Sequence, residues 1–153
     1  MKHTTCSPKE TQKIAKSVVR AILTEKNKGR ATVVALYGDL GGGKTTFTQG
    51  VAKALGVKET VPSPTFIIER IYKIKKFHFM HFIHIDAYRF KNETELQNIG
   101  WDGMLKNPKN FIMIEWADKV ENVIPKDALK IYFKTNDEHE NTRHIDVIYP
   151  HAE

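Results

Sequence analysis

Cysteine is nearly absent. The 153-residue chain holds one, Cys6, so no internal disulfide can form, a stapled secreted scaffold is excluded, and Cys6 reads as an inert thiol. Long apolar runs are missing too. Residues 31–37 and 111–114 fall far short of the ~20 residues that a bilayer span requires, and no charged-then-apolar leader precedes them. A soluble, cytoplasmic chain with no membrane contact is expected. Internal repeats, low-complexity tracts and linkers are absent, leaving residues 1–153 as one expected domain, long enough to bury about 70 % of its unfolded surface. No arginine-rich block interleaved with aromatics marks a dedicated nucleic-acid segment.

What is present is ordinary in amount and uneven in placement. Hydrophobic residues make up 41 % and charged residues 27 %, near globular averages, so a largely disordered chain fits poorly. The net charge is +6, but residues 1–76 carry 15 basic and 5 acidic side chains (+10) and residues 77–153 carry 9 and 13 (−4). This asymmetry fits a basic surface that attracts a phosphate-rich partner or an acidic protein. It fits equally a set of solvated lysines on exposed helix faces.

Ser7-Pro8-Lys9-Glu10 has the form of a helix start, with Ser7 as cap, Pro8 at the first helical position and Glu10 completing a capping box. Ile14, Val18, Ala21 and Ile22 then recur on one face, extending the helix to about Leu23. Residues 32–37 (TVVALY) are apolar and β-branched, as in a strand covered on both faces. Residues 65–74 and 77–85 read as two further strands, with Lys75-Lys76 in the turn between them. Asn92 opens a short helix that Gly100-Trp101-Asp102-Gly103 interrupts, and Trp101 reads as a packing residue. Residues 111–114 form another buried-type strand, and residues 128–134 and 144–149 a closing hairpin.

Between the first strand and the helix expected from Phe47, Val51, Ala54 and Leu55 lies Gly38-Asp39-Leu40-Gly41-Gly42-Gly43-Lys44-Thr45-Thr46. Strand, glycine loop and helix are the surroundings that a phosphate loop needs. The glycines let successive N–H groups converge on phosphate oxygens at the positive end of the following helix. Lys44 adds a mobile charge, and the Thr45 hydroxyl can ligate Mg²⁺. Two acids at strand ends could complete such a site. Glu115 follows the strand 111–114 where a metal-binding acid would stand, or simply begins a loop. Asp86 ends the strand 77–85; alternation puts His84 on its face as an orienting partner, and Arg89 is its other candidate partner. The spacing of His78, His81 and His84 does not make a zinc site, since His81 faces away from the other two and no cysteine or carboxylate completes a set.

Taken in order, the Thr11 helix, the 38–46 loop, Ser63-Pro64-Thr65-Phe66, His84-x-Asp86-x-Tyr88-Arg89 and Glu115-Trp116-Ala117 resemble the TsaE (YjeE) family across nearly the whole chain. The resemblance implies a three-layer α/β P-loop NTPase domain with a mainly parallel central sheet and antiparallel hairpin additions. It implies a Mg²⁺-dependent ATPase acting with the TsaB–TsaD pair in threonylcarbamoylation of adenosine 37 of tRNAs that read codons beginning with A. Residues Gly41, Gly42, Gly43, Lys44, Thr45 and Thr46 would hold the ATP phosphates, Thr45 and Glu115 would serve Mg²⁺, and Lys44 and Asp86 would be catalytic. Ser63-Pro64-Thr65 would be a switch-like segment, Trp116 a ring near the nucleotide, and Thr11 and Arg143 would lie on the base side. The chain departs from the usual pattern at Gly42 and Ala87, neither of which removes a reactive group, and Lys73-Ile74-Lys75-Lys76 is unusually basic. A P-loop small-molecule kinase shares the loop and stands as the alternative. The absence of an Asn-Lys-x-Asp signature favours adenine over guanine.

Overall fold

The computed structural model describes residues 1–61 and 67–150; the segment Ser63-Pro64-Thr65 lies outside them. Seven strands form one sheet in the order β1-β7-β6-β2-β5-β4-β3. They are β1 (Lys2–Thr5), β2 (Thr32–Tyr37), β3 (Glu69–Lys76), β4 (Phe79–Asp86), β5 (Asn110–Glu115), β6 (Leu129–Thr135) and β7 (Arg143–Ile148). Strands β4, β5, β2 and β6 run parallel to one another, while β3 and β7 fold back as antiparallel hairpin partners and β1 pairs antiparallel with β7. The central strands β2 and β5 are apolar on both faces because helices cover both.

Helices α1 (Pro8–Thr24) and α2 (Lys44–Ala54) close one face over Val34, Leu36, Phe111 and Met113. Helices α3 (Glu93–Asn98) and α4 (Trp101–Lys106), with a 3₁₀ segment at Ala117–Val123, close the other over Val33, Ala35, Ile112 and Ile114. This is the three-layer α/β arrangement expected from the alternation of strands and helices. Trp101 is 1 % exposed within the second core and donates to the Val123 carbonyl at 3.2 Å.

Several local expectations change. Ser7 caps α1 as expected, accepting from the Glu10 N–H at 3.2 Å, but the Glu10 carboxylate accepts from Cys6 N at 2.6 Å, one residue before the cap. Lys75 and Lys76 belong to β3, and the turn falls on Phe77-His78, with Phe77 in the left-handed region (φ 54°). A register shift between Lys73 and Lys76 absorbs the mismatch. Strand β1, helix α4 and the 3₁₀ segment have no periodicity long enough to announce them.

Candidate functional site

Three neighbouring parallel strands end side by side. The glycine loop leaves β2, Glu115 ends β5, and Asp86 ends β4, where the β4–β5 register pairs it directly with Glu115. A cavity of about 580 Å³ opens above these carboxyl ends, a size suited to a small ligand. The residues 40–46, Asp86, Glu115, Trp116, Thr11 and Arg143 all line it. Residues that are far apart in sequence therefore meet in one place, at the strand ends where open α/β sheets bind ligands.

The loop geometry is severe at Gly38 (φ 131°). A Cβ there would stand 2.3 Å from the Phe133 carbonyl oxygen of the neighbouring strand β6, so only glycine fits. At Gly42 the nearest atoms would be 3.1 and 3.2 Å away, close enough to press on the loop but within reach of a small adjustment. Gly43 precedes α2 with φ 98° and supplies no side-chain acceptor to its first turn. The N–H groups of that turn are therefore left for an anion at the positive end of the helix.

Lys44 is 5 % exposed and folds back over its own loop, donating to the carbonyls of Gly38 and, at 2.6 Å, Asp39. Its ammonium also sits 4.3 Å from the Trp116 ring centroid. Burial lowers the Lys44 pKa, while Glu115, Asp39, Asp86 and Asp118 pull it back up. Burial likewise raises the Asp86 carboxyl; the Tyr88 N–H, donating to Oδ1 at 2.8 Å, opposes this, and Glu115 adds to it. Trp116 itself is left-handed (φ 57°, ψ 43°), a conformation that costs a bulky residue energy and clusters at functional sites. The Tyr88 ring packs beside it, 5.0 Å between centroids.

The structure redistributes partners that sequence alone had assigned. His84 is buried beside Glu115, not paired with Asp86: its Nε2 lies 2.5 Å from Glu115 Oε2, with both side chains nearly inaccessible, while His84 Nδ1 has no partner. Arg143 reaches from β7 to the glycine loop, donating from Nε to the Gly41 carbonyl at 2.7 Å and from Nη1 to the carbonyls of Glu140 and Thr142. Thr11 is buried and shares a 2.9 Å hydroxyl contact with Thr5 of β1. Tyr88, Asn141 and Cys6 also line the cavity. Tyr88 stands in a recognisable motif, but nothing in the sequence places Asn141 or Cys6 beside a loop that lies far along the chain from both. Among the described residues no group of three or more His, Cys, Asp or Glu could hold a metal ion.

The strand, glycine loop and helix, with the acids at the ends of the adjacent strands, define a P-loop α/β protein. The family model of the threonylcarbamoyl adenosine biosynthesis protein TsaE matches residues 5–145. The chain is 37 % identical over 144 residues to the tRNA threonylcarbamoyladenosine biosynthesis protein TsaE of Bacillus subtilis, covering 93 % of this chain and 84 % of that one. It is 35 % identical over 136 residues to the protein of the same name from Rickettsia prowazekii, covering 88 % and 87 %. The crystal structure of Bacillus subtilis YdiB superposes with a TM-score of 0.74 at 30 % identity, over 99 % of this chain and 86 % of that one. The chain belongs to the TsaE family.

Proposed function

We propose that the chain binds ATP with Mg²⁺ and hydrolyses it to drive threonylcarbamoylation of tRNA together with TsaB–TsaD-like proteins. The observation that carries this reading is the meeting of the glycine loop, Asp86 and Glu115 in one cavity above three adjacent parallel strands. The donor set suits the ligand: uncapped N–H groups and a lysine for phosphates, and a hydroxyl and a buried carboxylate lining the same cavity for a hard cation. Bound Mg²⁺ supplies neutralisation of the charge on the terminal phosphates.

In this reading Gly41, Gly42, Gly43 and Thr46 hold phosphate through their N–H groups, and Thr45 and Glu115 hold the metal. Lys44 leaves the Gly38 and Asp39 carbonyls to meet the phosphates, while Asp86, its proton affinity raised by burial, takes the proton of the attacking water. Thr11 and Trp116 flank the nucleotide, and Arg143 fixes the loop through Gly41. Lys44 is then the one cation of the loop on the phosphates, because Arg143 spends its Nε and Nη1 donors on the carbonyls of Gly41, Glu140 and Thr142. Charge stabilisation at the terminal phosphate is therefore incomplete until a partner docks, and an arginine supplied from outside is worth about 10³–10⁵ in rate.

The test is turnover at fixed Mg-ATP, measured for the chain alone, with the TsaB–TsaD pair, and with the pair plus tRNA, following where the terminal phosphate goes. The expected result is slow release of inorganic phosphate that rises with the partners. Fast release unchanged by them would overturn partner activation, and phosphate recovered on a small acceptor would establish the kinase alternative.

A further inference from the structure

The charge asymmetry of the sequence becomes an asymmetry between the two faces of the sheet. On the face covered by α1 and α2, the helices carry Lys9, Lys13, Lys16, Arg20 and Lys53 against one acid, Glu10, with Lys44 turned inward to the glycine loop. On the other face, α3, α4 and the 3₁₀ segment carry five acids against Lys106 and Lys119. Four of the cations fall at positions 9, 13, 16 and 20 of α1. At 100° per residue that spacing keeps them on one outward stripe, and at ~1.5 Å rise it extends about 16 Å. All four are exposed, and among the described residues none of them pairs with an acid. The stripe begins at the cavity mouth, where Ser7, Pro8 and Thr11 form part of the wall.

Its chemistry selects between polyanions. No large apolar side chain of α1 or α2 is exposed, whereas protein interfaces centre on desolvated aromatic and aliphatic anchors and are depleted in lysine. Three lysines and an arginine on a rigid rod, without aromatics or amides, suit contacts to phosphates and give no base readout. A length of about 16 Å spans several consecutive phosphates of one strand.

We propose that the Lys9–Lys13–Lys16–Arg20 stripe of α1 is a docking surface for the sugar-phosphate backbone of tRNA, contacted directly by this chain. The proposal rests on the reading that the chain serves tRNA modification; it adds that the RNA touches this protein directly.

The test is fluorescence anisotropy of an end-labelled, unmodified tRNA transcript with an anticodon that reads a codon beginning with A, titrated with the whole chain between 50 and 200 mM KCl. Four phosphate contacts give a log–log salt slope of about −3 to −3.6, a 50- to 150-fold loss of affinity over that range. The triple variant K13Q/K16Q/R20Q removes three contacts at exposed positions where glutamine is a good helix former. Its slope should flatten by about 2 to 2.7, with thermal stability and isolated ATP turnover unchanged, while K106Q/K119Q on the opposite face should bind as the parent does. Parental tRNA binding by the triple variant would overturn the proposal, as would its loss of retention by the TsaB–TsaD pair with tRNA binding intact, which would assign the stripe to an acidic protein. Hydrolysis is measured on the same samples. A parent that binds tRNA with the expected slope but never hydrolyses ATP would refute the proposed function and leave the stripe standing.

Discussion

Lys44 and His84 show how much of the site depends on single side chains. Lys44 is buried and satisfied by two loop carbonyls, so Lys44→Ala removes the nearest fixed cation from any bound phosphate. Nucleotide titration followed by Trp116 fluorescence should show most of the affinity gone, with the fold retained; parental affinity would remove Lys44 from the site. His84 is the donor to a buried carboxylate. His84→Leu leaves Glu115 Oε2 without it, which costs about 1–3 kcal/mol in chemical denaturation. If the imidazole orients Glu115 toward the metal, the Mg²⁺ needed for half-maximal ADP binding rises about 10- to 100-fold, while Mg²⁺-free ADP binding is unchanged and His84→Gln restores part of the loss. Equal weakening with and without Mg²⁺ would reduce His84 to a packing role.

Between elements, the close approach of α1 and α2 turns on Gly50. A Cβ there would stand 2.8 Å from Ala15 Cβ and 2.9 Å from Gln12 Cα, so Gly50→Ala forces the helices apart. The expected cost is about 1–3 kcal/mol in a urea melt, with weaker nucleotide binding because α1 carries Thr11 into the cavity wall. An unchanged midpoint would mean that the helices slide without loss. The 3₁₀ segment is fastened differently. Glu121 accepts from Tyr37 Oη at 2.5 Å and from Lys130, which joins the segment to β2 and β6. Burial alone would raise the Glu121 carboxyl, but the bonds from Lys130 and Tyr37 outweigh it and hold it below its ordinary 4.5. A lowered carboxylate stabilises the fold above its unfolded pKa and loses that contribution as pH falls through the folded value. Glu121→Gln should thus cost a little, within about 1 kcal/mol for so exposed a pair, at pH 7, and the gap to the parent should close as pH falls below 4.5. A gap independent of pH would assign the loss to packing.

For the molecule as a whole, binding at the cavity ties together β2, β4, β5 and both ends of the chain, since Thr11 and Arg143 line the same space. A ligand held only by the folded state adds about 2.7 kcal/mol at 100 times its Kd. For a chain of this size that is roughly 5–11 °C in Tm. Mg-ADP should produce this shift in the parent and none in Lys44→Ala. A shift that survives in the variant would mean that the nucleotide binds elsewhere.

The sequence alone determined the features that act locally. The run 32–37, the glycine loop and the periodic apolar positions of α1 and α2 are short-range patterns, and backbone sterics and burial act on them within a turn or two. Glu115 and Asp86 were legible for the same reason, as acids that close apolar strands. Alternation along β4 gave the face on which His84 lies but not its neighbour. Only the parallel pairing of β4 with β5 put Glu115 beside it, ahead of the Asp86 on its own strand. The β6–β7 hairpin likewise carries Arg143 to Gly41 across a hundred residues, and Gly50 acquires its meaning only when α1 lies against it. Sheet order and helix packing are set by long-range burial and register, which no local window contains. They alone decided who touches whom around the phosphate loop, and they turned a charge imbalance along the chain into a basic face.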